Sequence, residues 1–485
     1  MIHIQQEIFH RGILYLSGIF SALVFFGCAS IPSVGPNYVK PDISTNSKWH
    51  SPLENGINDG AINQKDLASW WTVFNDAELT SLINRAVANN FDLKKAEARI
   101  HEARAQRNMA KAGYYPTVDA SGSGNRSSTS ENSGSGITSN LFSLGFDASW
   151  ELDVFGGVRR SVEASDASLQ SSVENKRDVL VSLLAEVALN YLDARTYQSR
   201  IDVMESNLKS QDETLRLTQW RYQAGLTDEL AVQQAKYNRE ATLSEIPPLY
   251  TGLEEAANRL AVLIGEQPGK VQKEIKNHQP IPLAPSNIAV GVPADVLRQR
   301  PDVRKAERDL ASQTAQIGVA TAELYPKFTL DGSIGLEALS INKIFSPGNQ
   351  TASGGGLISW RIFEAGSIRQ NIKVQTAIQE QYLCDYETAV LEALEEVENA
   401  ITAYAQEQNR RNALVEAVKS AQLAVELTQY KYQSGLTDFT DVLVAERSLL
   451  SLEDDLAQSE GNITMDVVRL YKAIGGGWTS EGTKS

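Results

Sequence analysis

The chain consists of two copies of one long unit. The twelve residues that begin at Leu217 recur from Leu427, 210 positions later, and nine of the twelve are identical. The same offset relates the Tyr-Pro pair at 115–116 to the pair at 325–326. Because the offset is constant along the chain, the two copies are an ungapped duplication, and the fold must present the same elements twice in the same order.

Each copy has the pattern of a helix, two strands, a long helix, a turn and a return helix. Helical spacing covers 76–113 and resumes over about 153–223. At 1.5 Å per residue the second stretch is roughly 100 Å long, which is too long for one compact globular domain. The return helix, 226–264, is predicted to break at Pro247-Pro248, because two prolines remove two backbone donors. The strands are predicted near 115–124 and 140–152, and in the second copy near 325–338 and 352–363.

Polar and apolar residues alternate along these strands. From Phe142 to Leu152 every other residue is apolar and the residues between are polar or glycine. About eleven residues in this alternation are typical of a membrane-spanning β-strand. A half-buried strand of a soluble sheet would show the same pattern. Four strands cannot close a barrel, however, and their unpaired edges could not lie in lipid. Membrane strands therefore require several chains, and three chains would give twelve strands.

The polar face of these strands is acidic. Its carboxylates outnumber the two cations, Lys327 and Arg361. The carboxylates are Asp119, Asp147, Glu151, Asp331 and Glu337. A narrow channel lined by such a face concentrates cations, so the sequence predicts a cation-preferring barrel lumen.

The long helices carry the pattern of coiled-coil packing. The apolar residues of one seam are spaced four and three apart, the heptad signature. They are Val390, Leu394, Val397, Ile401 and Tyr404. A second seam of alanines, at 389, 393, 400 and 403, lies beside the first. A helix with two adjacent seams can pack against a neighbour on each side, so a curved wall of helices is predicted.

The N-terminus has the pattern of a bacterial lipoprotein signal. An apolar run from Ile13 to Gly27 follows Arg11 and fits the core of a signal peptide. The residues before Cys28 resemble a lipobox, which predicts that Cys28 is lipidated, and Ala29 resembles the sorting pattern for the outer membrane. An ordinary signal peptide with an incidental cysteine is the alternative. This covalent N-terminal lipid is the one attached group predicted, and no cofactor is expected.

Composition and motifs exclude several other functions. The net charge of −15, with basic residues scattered, argues against a nucleic-acid partner. Cys384 lies in a helical pattern and is expected to be a small core residue. The five histidines form no metal-spaced pair, and no nucleophile or phosphate-loop motif occurs. Neither an enzyme nor a metal site is predicted.

Four motifs occur in order along the duplication. They are Gly-Pro-x-Tyr-x-x-Pro at 35–41, Trp-Trp-x-x-Phe at 70–74, Leu-Arg-Gln-Arg-Pro-Asp-Val at 297–303 and the ending Ile-Gly-Gly-Gly-Trp at 474–478. Together they resemble the TolC-like outer-membrane factor family and, within it, the NodT-type lipoproteins of tripartite efflux systems. The resemblance covers almost the whole chain.

The resemblance implies a fold of mixed α and membrane β structure. Three chains would form a twelve-stranded β-barrel, with four strands per chain, continued by a long α-helical coiled-coil barrel with an equatorial domain. The predicted segments are a signal peptide (1–27), a lipidated tether and equatorial segment (28–75), the first repeat (76–265), an equatorial connector (266–292), the second repeat (293–475) and a tail (476–485).

The function implied is that of an outer-membrane duct of a tripartite, RND-type efflux system. The homotrimer would work with a periplasmic adaptor and an inner-membrane pump, and would conduct small molecules passively to the exterior. A protein-secretion duct has the same fold and stays an alternative. A periplasmic adaptor lipoprotein is a third reading, but it would lack duplicated membrane strands.

The turn after each long helix is the predicted adaptor-docking tip. Where the chain reverses direction after a helix, it needs a residue that tolerates positive φ. Gly225 and Gly435 are such residues. In the family these turns meet the adaptor's hairpin. The docking residues implied are Ala224, Gly225, Leu226, Thr227, Ser434, Gly435, Leu436 and Thr437. The alternative is that they serve only the turn.

The resemblance also implies a pore constriction just after the second tip. Family members carry aspartates six or nine residues beyond the glycine; here the sixth is Asp441, a match, and the ninth is Val444, a departure. The predicted constriction is a ring of Asp441 carboxylates, narrowed by Thr440 or Val444. Thr437 and Ala231 occupy the positions of a charged closing pair, so that lock is not predicted. A solvated helix residue is the alternative for Asp441.

Overall fold

The computed structural model describes residues 33–42, 45–61, 63–132, 136–285 and 287–479. Cys28 and the predicted signal peptide lie outside these residues. The described chain is largely helical and divides into two compact units. The strand unit contains the described residues up to Lys40, Ala103–Leu169 and Arg308–Leu383. The helical unit contains Pro41–Glu102, Gln170–Glu307 and the described residues from Cys384 onward.

The helices of the two copies correspond in length. In chain order they are α1 (Gln64–Ala68), α2 (Ala77–Asn89), α3 (Phe91–Ala112), α4 (Gly157–Gln223), α5 (Glu229–Leu263), α6 (Gln272–Ile275), α7 (Pro293–Gln299), α8 (Pro301–Ala322), α9 (Ser367–Gln433) and α10 (Phe439–Ala473), with 3₁₀ turns at Trp70–Phe74 and Ile341–Lys343. Both α4 and α9 have 67 residues, and both α5 and α10 have 35. Each of these second-copy helices begins 210 residues after its counterpart.

The strand unit contains one antiparallel sheet. The strands of the chain are β1 (Ile57–Asn58), β2 (Thr117–Ser128), β3 (Thr138–Leu152), β4 (Ile288–Ala289), β5 (Lys327–Ala338) and β6 (Gln350–Ser359). The sheet order is β2-β3-β5-β6, so β2 and β6 form its edges. Strand β2, the first strand of this sheet along the chain, starts after Pro116, which has no amide hydrogen for the ladder. The last strand of the sheet, β6, covers 350–359 instead of 352–363. Its final pair is Ser359 with Lys327, and Pro326 before Lys327 has no amide hydrogen to extend the ladder.

The helix predicted over 76–113 is two helices, because Asn90 interrupts it. Asn90 has ψ 134°, outside the helical region, and ends α2. Its side-chain oxygen accepts from the amides of Asp92 at 2.8 Å and Leu93 at 3.0 Å, so it caps α3. Its amide nitrogen donates to the Leu263 carbonyl at 2.9 Å. An asparagine that caps one helix and binds the end of another fixes a corner that helical spacing alone does not reveal.

The break predicted at Pro247-Pro248 is wrong. Helix α5 continues through both prolines. An interior proline costs about 3 kcal/mol relative to alanine, so neighbouring packing must hold this turn. Ile246 and Leu249 are buried in a cluster with Ile201, Met204 and Leu450. Burial of several large side chains offsets the lost backbone bonds.

The helical unit has one main core. Strands β1 and β4 pair in parallel, with Ile57 opposite Ile288, and both isoleucines are buried in this core. The ring of Trp70 stacks on Tyr471 at 5.5 Å. Near the chain end, the Gly477 amide donates to the Leu67 carbonyl at 2.9 Å. The N-terminal segment, the connector and the chain end therefore share one hydrophobic core.

Cys384 is not a core residue of the single chain. Its side chain is exposed, whereas Tyr386 on the same helix is buried. Two residues differ by about 200° around a helix, so a buried Tyr386 turns Cys384 to the opposite side. The helical pattern was therefore a correct guide to the element, and the expected burial of Cys384 was wrong.

Candidate functional site

The sheet brings all five predicted lumen carboxylates to one face. Alternate residues of a strand, and directly opposite residues of neighbouring strands, share a face. Asp119 is opposite Asp147, Ser149 is opposite Asp331, and Ser143 is opposite Glu337. Glu151 is an alternate position of the same β3 strand. The face therefore carries Asp119, Asp147, Glu151, Asp331 and Glu337.

Serine hydroxyls orient these carboxylates across the strands. The Ser121 hydroxyl donates to Asp147 Oδ2 at 2.7 Å, and the Ser149 hydroxyl donates to Asp331 Oδ1 at 2.7 Å. A further hydroxyl pair, Ser333 and Ser353, joins β5 to β6 at 2.7 Å. A neutral donor fixes a carboxylate without cancelling its charge. The face is thus made of small side chains and fixed negative charges.

Both cations predicted for this face are near one carboxylate that precedes β5. Lys327 Nζ lies 2.7 Å from Glu323 Oε1, and Arg361 Nη1 lies 3.9 Å from Glu323 Oε2. Glu323 belongs to the turn after α8, outside the sheet. Part of the positive charge is therefore compensated away from the five carboxylates. The acidic excess of the face is larger than residue counting indicates.

The opposite face of the sheet is apolar and exposed in the single chain. Its large exposed side chains are Val118, Leu144, Phe146, Trp150, Leu330, Ile334 and Ile358. One polar and one apolar face are what a strand between water and lipid requires. The edge strands β2 and β6 would each need a further strand in lipid, because unpaired backbone groups are costly there.

The two tips turn by the same backbone device. Gly225 has φ +72° and Gly435 has φ +71°. The Leu226 amide donates to the Arg221 carbonyl at 2.8 Å, and the Leu436 amide donates to the Lys431 carbonyl at 2.8 Å. The glycine amide of each tip donates three residues back, at 2.9 and 3.0 Å. These are the paired bonds of a Schellman motif, which ends a helix on a residue of positive φ.

The tips present small and apolar side chains to solvent. Leu226 is 66% exposed and Leu436 is 77% exposed. A Cβ built on Gly225 or Gly435 would meet no described atom within 4 Å. The glycines are therefore required for φ alone, not for a close contact inside the chain. All eight predicted docking residues lie in these two turns, at exposed or half-buried positions.

A contact that sequence reasoning missed joins the two tips. The Arg221 guanidinium lies 4.6 Å from the ring of Tyr432 and donates to the Gln433 carbonyl at 3.2 Å. Tyr432 packs against Phe439, with ring centroids 5.3 Å apart. These rings belong to the tip cluster, formed by Ala231, Ala235, Tyr432, Phe439, Val442 and Leu443. The available signal was the change from Arg221 to Lys431, one of three differences within the twelve-residue repeat.

The predicted constriction residues share the exposed side of the first turns of α10. Thr440, Asp441 and Val444 are exposed in the single chain, whereas Val442 and Leu443 are buried in the tip cluster. The Thr437 hydroxyl donates to the Asp441 carboxylate. Asp441 lies in the first turn of α10, where a carboxylate is favoured by the helix dipole. The three side chains are available to line a passage.

The start of the tether motif at 35–41 is held within the strand unit. The Val34 amide donates to the Phe155 carbonyl at 3.1 Å. The buried Arg160 donates to the Val34 carbonyl at 3.0 Å and to Asn37 Oδ1 at 2.7 Å. Gly35 has φ +84°, and a Cβ there would lie 2.5 Å from the Gly318 Cα. Residues 34–37 are therefore fixed by contacts with Phe155, Arg160 and Gly318.

Two classes of feature do not occur in the part of the chain that the structure describes. No cluster of three metal-ligating side chains is found there. None of its helices combines the length and apolar character needed to cross a bilayer.

The chain was compared with known families and proteins. The model of the family described as "Outer membrane efflux protein" matches residues 82–266 and again residues 292–476. Nodulation protein T of Rhizobium leguminosarum bv. trifolii is 34% identical over 465 residues, which are 95% of this chain and 96% of that protein. Cation efflux system protein CusC of Escherichia coli (strain K12) is 28% identical over 456 residues, which are 94% and 98% of the two chains.

Solved structures have the same fold. The structure of the outer-membrane channel OprN superposes with a TM-score of 0.87 and 34% sequence identity. The match covers 92% of this chain and 99% of that one.

Proposed function

The chain belongs to the outer membrane efflux protein family and is the outer-membrane channel of a tripartite efflux system; we propose that it works as a homotrimer with an acidic lumen. Each chain supplies four strands with two open edges, β2 and β6. Three copies, each closing its edges on its neighbours, give a twelve-stranded barrel. The long helices of the three copies form the coiled-coil barrel in the periplasm, and the N-terminal segment, connector and tail form its equatorial domain.

One observation carries the assembly: a sheet with a polar face, an apolar face and two open edges. A single copy would leave the edge amides and carbonyls of β2 and β6 unpaired in lipid, at a cost of several kcal/mol for each group. Closure with further copies removes the edges. The apolar face then contacts lipid and the acidic face lines the duct.

The same proposal assigns the tips and the N-terminus. The two turns around Gly225 and Gly435 dock the periplasmic adaptor, which in turn contacts an inner-membrane pump. Cys28 carries the lipid that anchors the chain in the outer membrane. Conduction is passive, no reaction is catalysed, and no cofactor takes part. The acidic face favours cationic small molecules as cargo, and the similar protein CusC is named as a cation efflux protein.

Native mass spectrometry of the protein extracted from outer membranes tests the assembly and the anchor together. We expect a trimer in which each chain begins at an acylated Cys28. Cys28→Ala should remove the acyl mass and leave the trimer, because the sheet edges do not involve Cys28. A monomer or dimer would contradict the barrel, and an unacylated chain that begins elsewhere would contradict the lipid anchor.

A further inference from the structure

A layer of buried polar side chains crosses the helical unit just behind the tip cluster. We name it the polar layer, and its members are Gln211 and Thr214 of α4, Asn238 of α5 and Glu446 of α10. Gln211, Asn238 and Glu446 are each at most 5% exposed. Along α10 the layer follows Val442 and Leu443 of the tip cluster and precedes Leu450 of the next apolar cluster. A carboxyl group is therefore enclosed between two apolar clusters.

Among the described residues, Glu446 accepts hydrogen bonds only from uncharged donors. Its Oε1 accepts from the Thr214 hydroxyl at 2.8 Å and from Gln429 Nε2 of α9 at 3.2 Å. Its Oε2 is buried and has no hydrogen-bond partner among the described residues. The equivalent position of the first copy, 210 residues earlier, is the exposed Lys236. The buried carboxyl is therefore an addition to the second copy and not a requirement of the repeat.

Three arginines in this part of the helical unit have partners other than Glu446. Arg447, its neighbour on α10, donates through Nε to Asn238 Oδ1 at 2.7 Å, and its guanidinium lies 4.9 Å from the Tyr237 ring. The other charged side chains in the adjoining stretches of these helices are Lys209, Asp212, Glu213 and Arg216 of α4, Lys236, Arg239 and Glu240 of α5 and Glu426 and Lys431 of α9. Arg239 pairs with Asp212 at 2.8 Å and with Glu240 at 2.8 Å, and Arg216 lies over Trp220.

Burial without a cation raises the pKa of Glu446, against the smaller lowering effect of the Thr214 and Gln429 donors. The layer also contains polar atoms that could serve an ionised carboxylate. Both amide atoms of Gln211 and Nδ2 of Asn238 are buried without a partner in the described chain. Gln211 lies one helical turn from Thr214, on the same side of α4. Two hydrogen-bonding arrangements of one layer are therefore available.

We propose that Glu446 is a proton-operated latch that couples pH to the packing of α10 near the second tip. With the proton bound, the carboxyl group stays buried and α10 packs on α4 as described here. When the proton leaves, the carboxylate must gain donors, from Gln211, Asn238 or water, and α10 loosens. Every contact named here for the latch lies within one chain.

The direction of the pH dependence follows from the raised pKa. The described packing binds the proton more tightly than an exposed glutamate does. Its stability is fully present below the ordinary carboxyl pKa and declines as pH rises through the raised pKa. The tip end of α10 should therefore be better protected in mildly acidic solution than at alkaline pH.

Two measurements on the full-length protein in lipid nanodiscs test the latch between pH 5.5 and pH 8. The first is hydrogen exchange of the peptide 439–450, divided by the intrinsic rate at each pH. In the wild type we expect several-fold less protection at pH 8. Glu446→Gln, which mimics the protonated group, should keep the same protection at both pH values. Glu446→Met is a second neutral variant in case the amide disturbs assembly, and Glu426→Gln removes an exposed carboxyl from α9 as the matched control.

The second measurement is the infrared band of a protonated carboxyl group. The wild type should lose one such band between the two pH values, and both Glu446 variants should lack that change, while Glu426→Gln should retain it. The proposal is overturned if the neutral variants show the pH-dependent exchange of the wild type, or if Glu426→Gln abolishes it equally. An unchanged carboxyl band in the wild type would overturn it as well.

Discussion

The two tips turn alike but begin their return helices differently. In both tips a glycine near φ +70° is followed by a leucine whose amide reaches five residues back at 2.8 Å. After the first turn Asp228 caps α5 by accepting from the Ala231 amide at 3.0 Å. After the second turn Asp438, at the equivalent position, makes no side-chain cap bond to any described residue. The duplication has thus kept the turn and changed the cap.

The two tips also differ in the side chain three residues after the shared aspartate. Position 231 of the first copy is a buried alanine, whereas the equivalent position 441 of the second copy is an exposed aspartate. The Thr437 hydroxyl donates to that aspartate. The first tip is therefore a turn with a side-chain cap, followed by a buried alanine. The second tip has no side-chain cap bond among the described residues and is followed by an exposed aspartate that accepts from Thr437. The proposed docking role therefore applies to both tips, whereas the proposed gating role applies to the second tip alone.

The largest effect on efflux is expected at the tip glycines, which are the same in both tips. Gly435→Trp and Gly225→Trp should each abolish efflux while trimers remain in the outer membrane, because each places a bulky side chain at positive φ on the docking surface. The measurement is drug accumulation in cells, together with crosslinking to the adaptor.

Gly348 offers a matched control for the tip glycines. It has φ +92° and no described atom within 4 Å of a built Cβ, but it lies in the loop between β5 and β6. Gly348→Trp should leave efflux intact. If a tip variant crosslinks normally to the adaptor, the tips do not dock it.

An intermediate effect, on channel conductance, is expected at Asp441. The equivalent residue of the first tip is the buried Ala231. Asp441→Ala should raise single-channel conductance and weaken block by millimolar divalent cations, because a ring of carboxylates that binds cations would be removed. Asp228→Ala, which removes one carboxylate per chain from the other tip, is the control and should change neither quantity. Wild-type conductance and block in Asp441→Ala would show that Asp441 does not line the constriction.

The smallest effect is expected at the caps. Asp228→Ala should destabilise the first turn of α5 by about 1 kcal/mol, the usual value of a lost side-chain cap. Asp438→Ala should change the first turn of α10 much less, since its side chain makes no cap bond to the described residues. Hydrogen exchange of the peptides 229–235 and 439–445 measures both. Equal losses in the two variants would remove the distinction between the tips.

Sequence pattern predicted those features that follow from periodicity. The alternation along β3 and β5 placed Asp147 and Asp331 on one face, because a strand has a fixed period of two. The repeat located both glycine turns, because positive φ at a helix end has few solutions. In each case one backbone rule decides the position of a side chain.

Features that depend on several distant side chains escaped prediction. Helix α5 passes through Pro247-Pro248 because Ile246 and Leu249 are buried against residues from α4 and α10. The Arg221 contact with Tyr432 joins positions 211 residues apart, and no local rule pairs them. Asp228 makes a side-chain cap bond and Asp438 makes none to the described residues, although both end the same Gly-Leu-Thr-Asp sequence. Rotamers and neighbouring helices decide these cases, and they are not encoded in a short pattern.

The central claim is that the acidic face of the sheet lines a conducting lumen. The most direct test is the reversal potential of purified trimers in a planar bilayer under a potassium chloride gradient. The account predicts preference for potassium over chloride, and a lower preference in the double variant Asp147→Asn with Asp331→Asn. Preference for chloride, or an unchanged ratio in the double variant, would contradict it.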